Sequence, residues 1–230
     1  MSYLRALIVG AGPGLGAALG RAFAAAGMKV ALAARTPERL RPVAERMGAT
    51  LHGCDASDPG EVARLFAEVE RGIGIPDVVV YNASYRARGA LAELDPAEVA
   101  KSLAVTAYGG FLVGQAAAQR MLPQGQGAIL FTGASASQKG YPQSAPFAMG
   151  KFALRGLAQS MARELAPQGI HVAHIVIDGG IRSARRADPA ENPDSTLDPD
   201  AIAASYLHVL QQPRSAWTWE LELRPGVEKF

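Results

Sequence analysis

Residues 9–16, VGAGPGLG, decide the fold of this chain. They follow a short apolar segment at 4–9 (LRALIV) and precede a small-residue segment at 15–27 (LGAALGRAFAAAG), which is typical of a helix. Glycines at a first strand–helix junction let the backbone turn tightly, let a pyrophosphate approach and let the helix pack close to the sheet. The helix start also offers free amides and a positive dipole end. The turn therefore predicts a dinucleotide-binding fold.

The glycines of this turn follow a G-x3-G-x-G spacing, at Gly10, Gly14 and Gly16. The G-x-G-x-x-G pattern is not met, because Leu15 stands where its last glycine belongs. Pro13 removes one amide donor from the turn. We expect the whole turn to bind the coenzyme phosphates, which assigns to this site Gly10, Gly12, Pro13, Gly14, Leu15 and Gly16.

Downstream, short apolar segments alternate with longer helical ones. We expect strands at 29–34, 50–55, 76–84, 127–135, 169–178 and 216–223. We expect helices at 37–48, 58–72, 96–122, 146–165 and near 198–210. Repeated strand–helix units predict a parallel sheet with helices on both faces, and continuous Val/Ile/Leu runs suit strands that are buried on both sides. The predicted class is α/β, a Rossmann-like doubly wound sheet of about seven strands.

One segment interrupts the alternation. Residues 183–200 (SARRADPAENPDSTLDPD) are rich in Pro, Asp, Asn and Ser and lack apolar periodicity. We expect a mobile loop on the substrate side of the fold. The sequence contains no internal repeat and no sign of a second core, so residues 1–230 are predicted to form one domain.

Composition narrows the function class. The 230 residues are 49% hydrophobic and carry a formal net charge of +2, so no strong field attracts nucleic acid or an anionic membrane. Cys54 is the one cysteine, which is typical of a reducing compartment. No apolar run reaches the roughly 18 residues of a membrane span, and no signal peptide is visible. We therefore expect a cytoplasmic protein with a small-molecule substrate and no nucleic-acid, membrane or metal partner.

Polar residues follow three of the expected strands, at the edge where open α/β sheets bind ligands. Arg35 follows the second strand, where an acid would bind the ribose hydroxyls of NAD and an arginine accommodates the 2′-phosphate of NADP. It favours NADP(H), with NAD(H) possible, although a solvated arginine is the alternative interpretation. Asp55 ends the third strand and either accepts from the adenine amino group or merely terminates the strand. Asn82 ends the fourth.

Taken in order, these motifs resemble the short-chain dehydrogenase/reductase family over nearly the whole chain. The resemblance is carried by the glycine turn, with Val9 in place of the family's threonine, and by CDASD (54–58), YNAS (81–84), GAILFTGAS (127–135) and VIDGGIRS (176–183). It implies an NAD(P)-dependent oxidoreductase, with Ser183 at the position that contacts the nicotinamide carboxamide. It also adds to the coenzyme site Ala56, Ala83, Ser84, Lys151, Gly179, Ile181 and Ser183.

The resemblance also maps the family's catalytic Asn, Ser, Tyr and Lys onto this chain. Thr106 stands at the asparagine position, Ala134 at the serine position with Ser135 beside it, and Phe147 at the tyrosine of Y-x3-K; Lys151 is retained. In the family, the lysine binds the ribose hydroxyls and lowers the pKa of the tyrosine, which transfers the proton. The candidate catalytic positions are therefore Lys151, Ser135, Thr106 and Phe147.

A phenyl ring at 147 has no proton to exchange, and positioned acid–base catalysis contributes about 10²–10⁴-fold. Ser135, Tyr141, Ser144 or a water held by Lys151 remain alternative proton donors.

Two hypotheses about the function follow. The first is an NADP(H)-dependent oxidoreductase of a small carbonyl or alcohol substrate with an altered catalytic group. The second is a catalytically impaired NADP(H)-binding protein with a sensor or scaffold role. The resemblance also implies a homodimer or homotetramer formed through the two long helices.

Overall fold

Parallel strands form the centre of the protein, as the computed structural model describes it over residues 3–183 and 186–228. In this part of the chain, seven strands follow the order β3-β2-β1-β4-β5-β6-β7. They are β1 Arg5–Val9, β2 Lys29–Ala34, β3 Thr50–Gly53, β4 Val78–Tyr81, β5 Gly127–Thr132, β6 Ile170–Ile177 and β7 Glu220–Leu223. The order reverses between β1 and β4, which confirms the predicted Rossmann-like doubly wound sheet.

Helices cover both faces of the sheet and bury two apolar layers. One layer includes residues of α1 Leu15–Ala25, α2 Arg41–Met47 and α7 Pro199–Gln211. The other includes residues of α3 Pro59–Ile73, α5 Gly109–Met121 and α6 Ala145–Leu165. The short helix α4 Pro96–Leu103 contacts α6. Because both faces are covered, β1, β4, β5 and β6 are almost wholly buried, as their continuous apolar sequences indicate.

Three strands are shorter than the sequence indicated. The predictions of 76–84, 127–135 and 216–223 were too long, since pairing is confined to Val78–Tyr81, Gly127–Thr132 and Glu220–Leu223. After β4 and β5 the chain leaves the sheet to form the loops above its carboxyl edge. Before β7, Trp217 stacks on the imidazole of His171 with ring centroids 4.6 Å apart, so this segment packs through its side chains.

The long helix predicted at 96–122 is divided by a π-helical turn at Ala104–Tyr108. The hydroxyl of Tyr81, at the end of β4, donates to the carbonyl oxygen of Val105. Thr106 accepts a hydrogen bond from the amide of Tyr85 at 3.2 Å. These tertiary bonds connect the turn to the loop after β4, and such single π turns are frequent at functional sites.

The segment predicted as a loop at 183–200 contains no helix or strand between 186 and 198. Arg182 joins it to the fold through ion pairs with Asp188 at 2.6 Å and Asp198 at 3.5 Å. Residues 184–185 of the predicted loop lie outside the described residues, and its mobility stays a prediction. Within the described ranges, no helix has both the length and the apolar character that crossing a membrane requires.

Candidate functional site

Two adjoining cavities open at the carboxyl edge of the sheet. The turn-side cavity, about 330 Å³, lies between the glycine turn, Arg35 and Asp55. The lysine-side cavity, about 400 Å³, lies between the ends of β4–β6 and the first turns of α6, with Lys151 in its wall. Asn82 and Ser84 line both, so the cavities form one crevice across the topological switch point.

The glycine turn is shaped to bring a ligand close to its backbone. Gly10 has φ +82°, and a Cβ there would lie 2.2 Å from the amide nitrogen of Ala83. A Cβ on Gly16 would lie 2.7 Å from the Cα of Ala11, whereas Gly12 and Gly14 face open space. Gly10 and Gly16 are therefore required for packing, whereas Gly12 and Gly14 leave room beside the backbone.

The start of α1 has the features of an anion site. Gly14 is its N-cap, and neither a side-chain cap nor an acidic residue in the first turn neutralises the positive end of the helix. In contrast, α3 is capped by the carboxylate of Asp58, which accepts from the amide of Glu61 at 2.8 Å. The side chain of Asn82 fixes the turn by donating to the carbonyl of Gly10 at 2.9 Å. The geometry thus fits a diphosphate.

Two arginines line the turn-side cavity, of which Arg35 was predicted and Arg39 was not. Arg39 belongs to a 3₁₀ turn, Pro37–Leu40, that directly follows β2 and borders the same space. Asp55 faces this cavity with a carboxylate that accepts from the amide and hydroxyl of Ser57, at 2.9 and 2.6 Å. These two hydrogen bonds lower the pKa of Asp55, so it is an ionised acceptor.

Lys151 lies under the lysine-side cavity, with a residue exposure of only 3%. Its ammonium donates to the carbonyl oxygen of Thr132 at 2.7 Å. An ammonium has three donors, and the hydrogen bonds of the described residues use one of them. Burial, with a further contribution from the charge of Arg86, lowers the pKa of Lys151 to about 7. A buried cation with unused donors beside a cavity fits a ligand that carries hydroxyl oxygens.

Phe147 lies one helical turn before Lys151 and lines the same cavity. Its ring centroid is 5.8 Å from the Lys151 ammonium, and the guanidinium of Arg86 stacks on the ring at 4.3 Å from the centroid. The phenyl ring thus lies in the cavity wall between two cationic side chains.

The other candidate catalytic residues are placed less directly. Ser135 lines the cavity, but its hydroxyl is engaged by the carboxylate of Asp178. The pKa of Asp178 is lowered overall. Burial alone would raise it, but the hydrogen bonds from Ser135 and Lys139 have the larger combined effect. Thr106 lines neither cavity, because its hydroxyl is directed at the backbone of Tyr85. Tyr141 and the neighbouring serine, Ser144, both line the lysine-side cavity.

The remaining predicted coenzyme residues divide between the two sides of the crevice. Ala56 and Ala83 line the turn-side cavity, and Gly179 and Ile181 line the lysine-side cavity. Ser183 borders a third space that it shares with the glycine turn and Arg39. Its backbone pairs with that of Arg186. The described structure thus brings Ser183 near the glycine turn but outside the turn-side and lysine-side cavities.

A buried polar chain supports the loop after β5. The imidazole of His174 is 3.3 Å from the hydroxyl of Ser137 and 3.0 Å from the carboxylate of Glu220. Burial lowers the pKa of His174 to about 4, so the ring is neutral. None of these side chains lines either cavity, so we assign to these hydrogen bonds the structural role of holding the loop after β5 in place. Among the described residues, no group of three or more His, Cys, Asp or Glu is arranged to hold a metal.

Sequence reasoning also missed Arg86 and Arg186, which both line the lysine-side cavity. Arg86 follows the YNAS segment by two residues, and Arg186 lies in the irregular segment after β6. Neither position belongs to a motif or a periodic pattern, and only the fold brings them together.

Comparisons with known proteins agree with this architecture. Residues 5–192 match the family model for short chain dehydrogenase. The gluconate 5-dehydrogenase of Gluconobacter oxydans (strain 621H) is 30% identical, over 75% of this chain and 69% of its own length. A short-chain dehydrogenase structure from Rhodopseudomonas palustris is 34% identical with a TM-score of 0.85, covering 96% of this chain and 98% of its own. The alcohol dehydrogenase of Thermococcus sibiricus, complexed with 5-hydroxy-NADP, is 27% identical with a TM-score of 0.87 and 98% coverage of both chains.

Proposed function

This chain belongs to the short-chain dehydrogenase family, and from that premise we propose that it is an NADP(H)-dependent oxidoreductase of a small carbonyl or alcohol substrate. One observation carries the proposal. The buried ammonium of Lys151 keeps unused donors beside a crevice that continues to an uncapped helix start and two arginines. The Thermococcus sibiricus relative, solved with 5-hydroxy-NADP, supports this choice of coenzyme.

Each part of the crevice has a role toward the coenzyme in this proposal. The amides at the start of α1 hold the diphosphate, and Arg35 with Arg39 holds the 2′-phosphate. Asp55 accepts from the adenine amino group, and Lys151 donates to the ribose hydroxyls beside the nicotinamide. When bound, the coenzyme supplies the hydride. The whole chain acts as one domain in the reducing cytoplasm, and the 183–200 segment lies next to the substrate.

The proton has to come from a group other than residue 147. Lys151 is the best-placed source, since its Nζ lies at the cavity and burial brings its pKa to about 7, where it exchanges protons readily. As the substrate carbonyl carbon receives the hydride, Nζ or a water bound to it gives a proton to the carbonyl oxygen. The lysine then regains a proton from solvent. Tyr141 and Ser144, whose hydroxyls also line the cavity, are the alternative donors.

The second candidate function is NADP(H) binding without turnover, in a sensor or scaffold role. Phe147, Ala134 and Thr106 favour it, because they replace the tyrosine, serine and asparagine that the family resemblance leads one to expect. The coenzyme-binding part of the crevice serves both functions equally well.

Transfer of deuterium separates the two functions. NADPH labelled with deuterium at nicotinamide C4 is incubated with the protein and a panel of aldehydes, ketones and quinones. Mass spectrometry should find the label in an alcohol or hydroquinone product. NADPH binding without label transfer to any member of the panel would contradict the oxidoreductase and favour the sensor or scaffold.

Arg35→Ala should weaken NADPH binding about 10–100-fold and leave NADH binding nearly unchanged. A hydrogen bond to a charged group contributes roughly 1.5–3 kcal/mol, and only NADPH has the 2′-phosphate that would receive it. Arg39→Ala should act in the same direction. Calorimetric titration with both coenzymes measures the effect, and Arg41→Ala, an exposed neighbour outside the cavity, is the matched control. Equal losses for NADPH and NADH would refute the assignment.

We also propose that a second copy of this chain covers the outer face of α5 and α6. Phe111, Met149 and Phe152 are 41–50% exposed on these two helices, and Tyr108, 47% exposed, lies in the π turn just before α5. A dimer or tetramer is therefore expected in solution.

Phe152→Glu combined with Phe111→Glu should shift the wild-type oligomer to a smaller species, since each carboxylate would be buried without a partner at the interface. Sedimentation velocity measures the change. Leu91→Glu, at a residue 78% exposed outside these helices, should leave the oligomer intact. A monomeric wild-type protein would disprove the interface.

A further inference from the structure

The lysine-side cavity collects positive charge from three separate parts of the fold. Arg86 comes from the loop after β4, Lys151 from α6 and Arg186 from the segment after β6. Among the described residues that line this cavity, none is an Asp or a Glu. The resemblance to the family's Y-x3-K motif assigns no role to Arg86 or Arg186, because both arginines lie outside residues 147–151.

Neither arginine is neutralised within the described part of the chain, where no carboxylate forms an ion pair with either of them. Other arginines of this protein are paired: Arg155 makes a bidentate contact with Glu220, with both N–O distances at 2.6 Å. The pKa of Arg86 is lowered by burial and then by the charges of Arg88 and Arg186, so the two cavity arginines repel each other in the free protein.

Arg86 is also held in place. The Cζ of its guanidinium lies over the Phe147 ring, 4.3 Å from the centroid, a cation–π contact in the wall of the cavity. A guanidinium fixed in this way presents the fork of donors that matches a carboxylate. Phe147 therefore does more than fill space, because its flat, uncharged face supports the arginine.

We propose that the substrate of this enzyme is a small oxo acid or hydroxy acid whose carboxylate is bound by Arg86 and Arg186. The inference rests on the proposed oxidoreductase function and identifies its substrate class. A carboxylate between the two guanidinium groups removes their repulsion and gains charge-assisted hydrogen bonds. The cavity, about 400 Å³ and open to solvent, also has to admit the nicotinamide, so the proposal is limited to a small acid.

The test uses a matched pair of probes, 4-formylbenzoate and the neutral 4-formylbenzamide, titrated calorimetrically into the full-length protein with and without saturating NADP⁺. Oxidised coenzyme prevents reduction of the probes during the titration. We expect the carboxylate to bind at least about tenfold more tightly than the amide, in line with roughly 1.5–3 kcal/mol for a charged hydrogen bond.

Variants locate the effect. Arg86→Gln and Arg186→Gln should each remove most of the carboxylate preference, and Arg86→Lys should retain part of it. Arg88→Gln, a nearby arginine that does not line the cavity, should preserve it. Both cavity arginines keep part of their surface in solvent, so the variants are expected to fold, and thermal unfolding verifies this.

Two results would overturn the inference. One is equal binding of carboxylate and amide to the wild-type protein. The other is a loss of NADP⁺ affinity in Arg86→Gln with an unchanged probe preference, which would assign the arginine to the coenzyme. Failure of the proposed function is distinct, because it appears in the same titrations as an absence of NADP⁺ binding, whatever the probes do.

Discussion

Phe147→Tyr is expected to raise kcat/KM for NADPH-dependent carbonyl reduction by about 10²-fold, the lower end of what a positioned general acid contributes. A tyrosine hydroxyl would extend from the present ring edge into the lysine-side cavity. The Lys151 ammonium, 5.8 Å from the ring centroid, would be near enough to stabilise its phenolate. The new group would then transfer the proton more effectively than lysine or water does.

The gain should stay below the full 10⁴-fold, because Ala134 offers no hydroxyl to the developing oxyanion. Ala134→Ser in the same chain should therefore increase it further. Phe147→Leu, which has no hydroxyl at the same position, is the matched control and should give no gain. Initial rates with the carbonyl substrates found by deuterium transfer measure all three. If Phe147→Tyr has no effect, the cavity does not direct residue 147 at the substrate.

The parts of the site that the sequence identified are those encoded by steric requirements at fixed spacing. Gly10 is required because a side chain at φ +82° would overlap Ala83, and such a requirement appears directly as a glycine in the motif. Lys151 was predicted from its match to the lysine of the family's Y-x3-K motif, in which helix geometry places the lysine one turn after residue 147. The alternation of short apolar segments with helical segments likewise predicted the parallel sheet.

What the sequence did not reveal depends on contacts between distant segments. Arg86 and Arg186 are 100 residues apart and meet only when the loops after β4 and β6 reach the same cavity. The π turn at Ala104–Tyr108 arises from the hydrogen bond of Tyr81, which no local propensity encodes. Thr106 was placed at a catalytic position by the family resemblance alone, and its hydroxyl accepts a hydrogen bond from the backbone of Tyr85 in the neighbouring loop.

Lys151→Met is expected to lower kcat/KM for NADPH-dependent reduction by at least about 10²-fold, since it removes both the ribose donor and the proposed proton source. The dependence of the wild-type kcat/KM on pH should reflect the ionisation of Lys151. Reduction needs the ammonium form, so the rate should fall as the pH rises through about 7, the pKa of Lys151. Lys29→Met, at an exposed position, should leave the rate unchanged.

The same substitution should make the coenzyme-free protein more stable. The pKa of Lys151 is about 7 in the folded state and 10.5 when unfolded. Between these pH values the unfolded state binds more protons, so the free energy of unfolding of the wild-type protein rises with pH. A shift of this size corresponds to roughly 5 kcal/mol of destabilisation of the buried cation, and losing the bond to Thr132 returns about 1–3 kcal/mol of it.

Lys151→Met should thus be more stable than wild type by about 2–4 kcal/mol near neutral pH, and the difference should shrink toward pH 10. Urea unfolding at pH 7, 8.5 and 10 measures it, with Lys29→Met again as the control. A lysine kept for its function is expected to destabilise the fold while it supports activity. A variant that is both less stable and fully active would show that the buried ammonium serves the structure and has no part in catalysis.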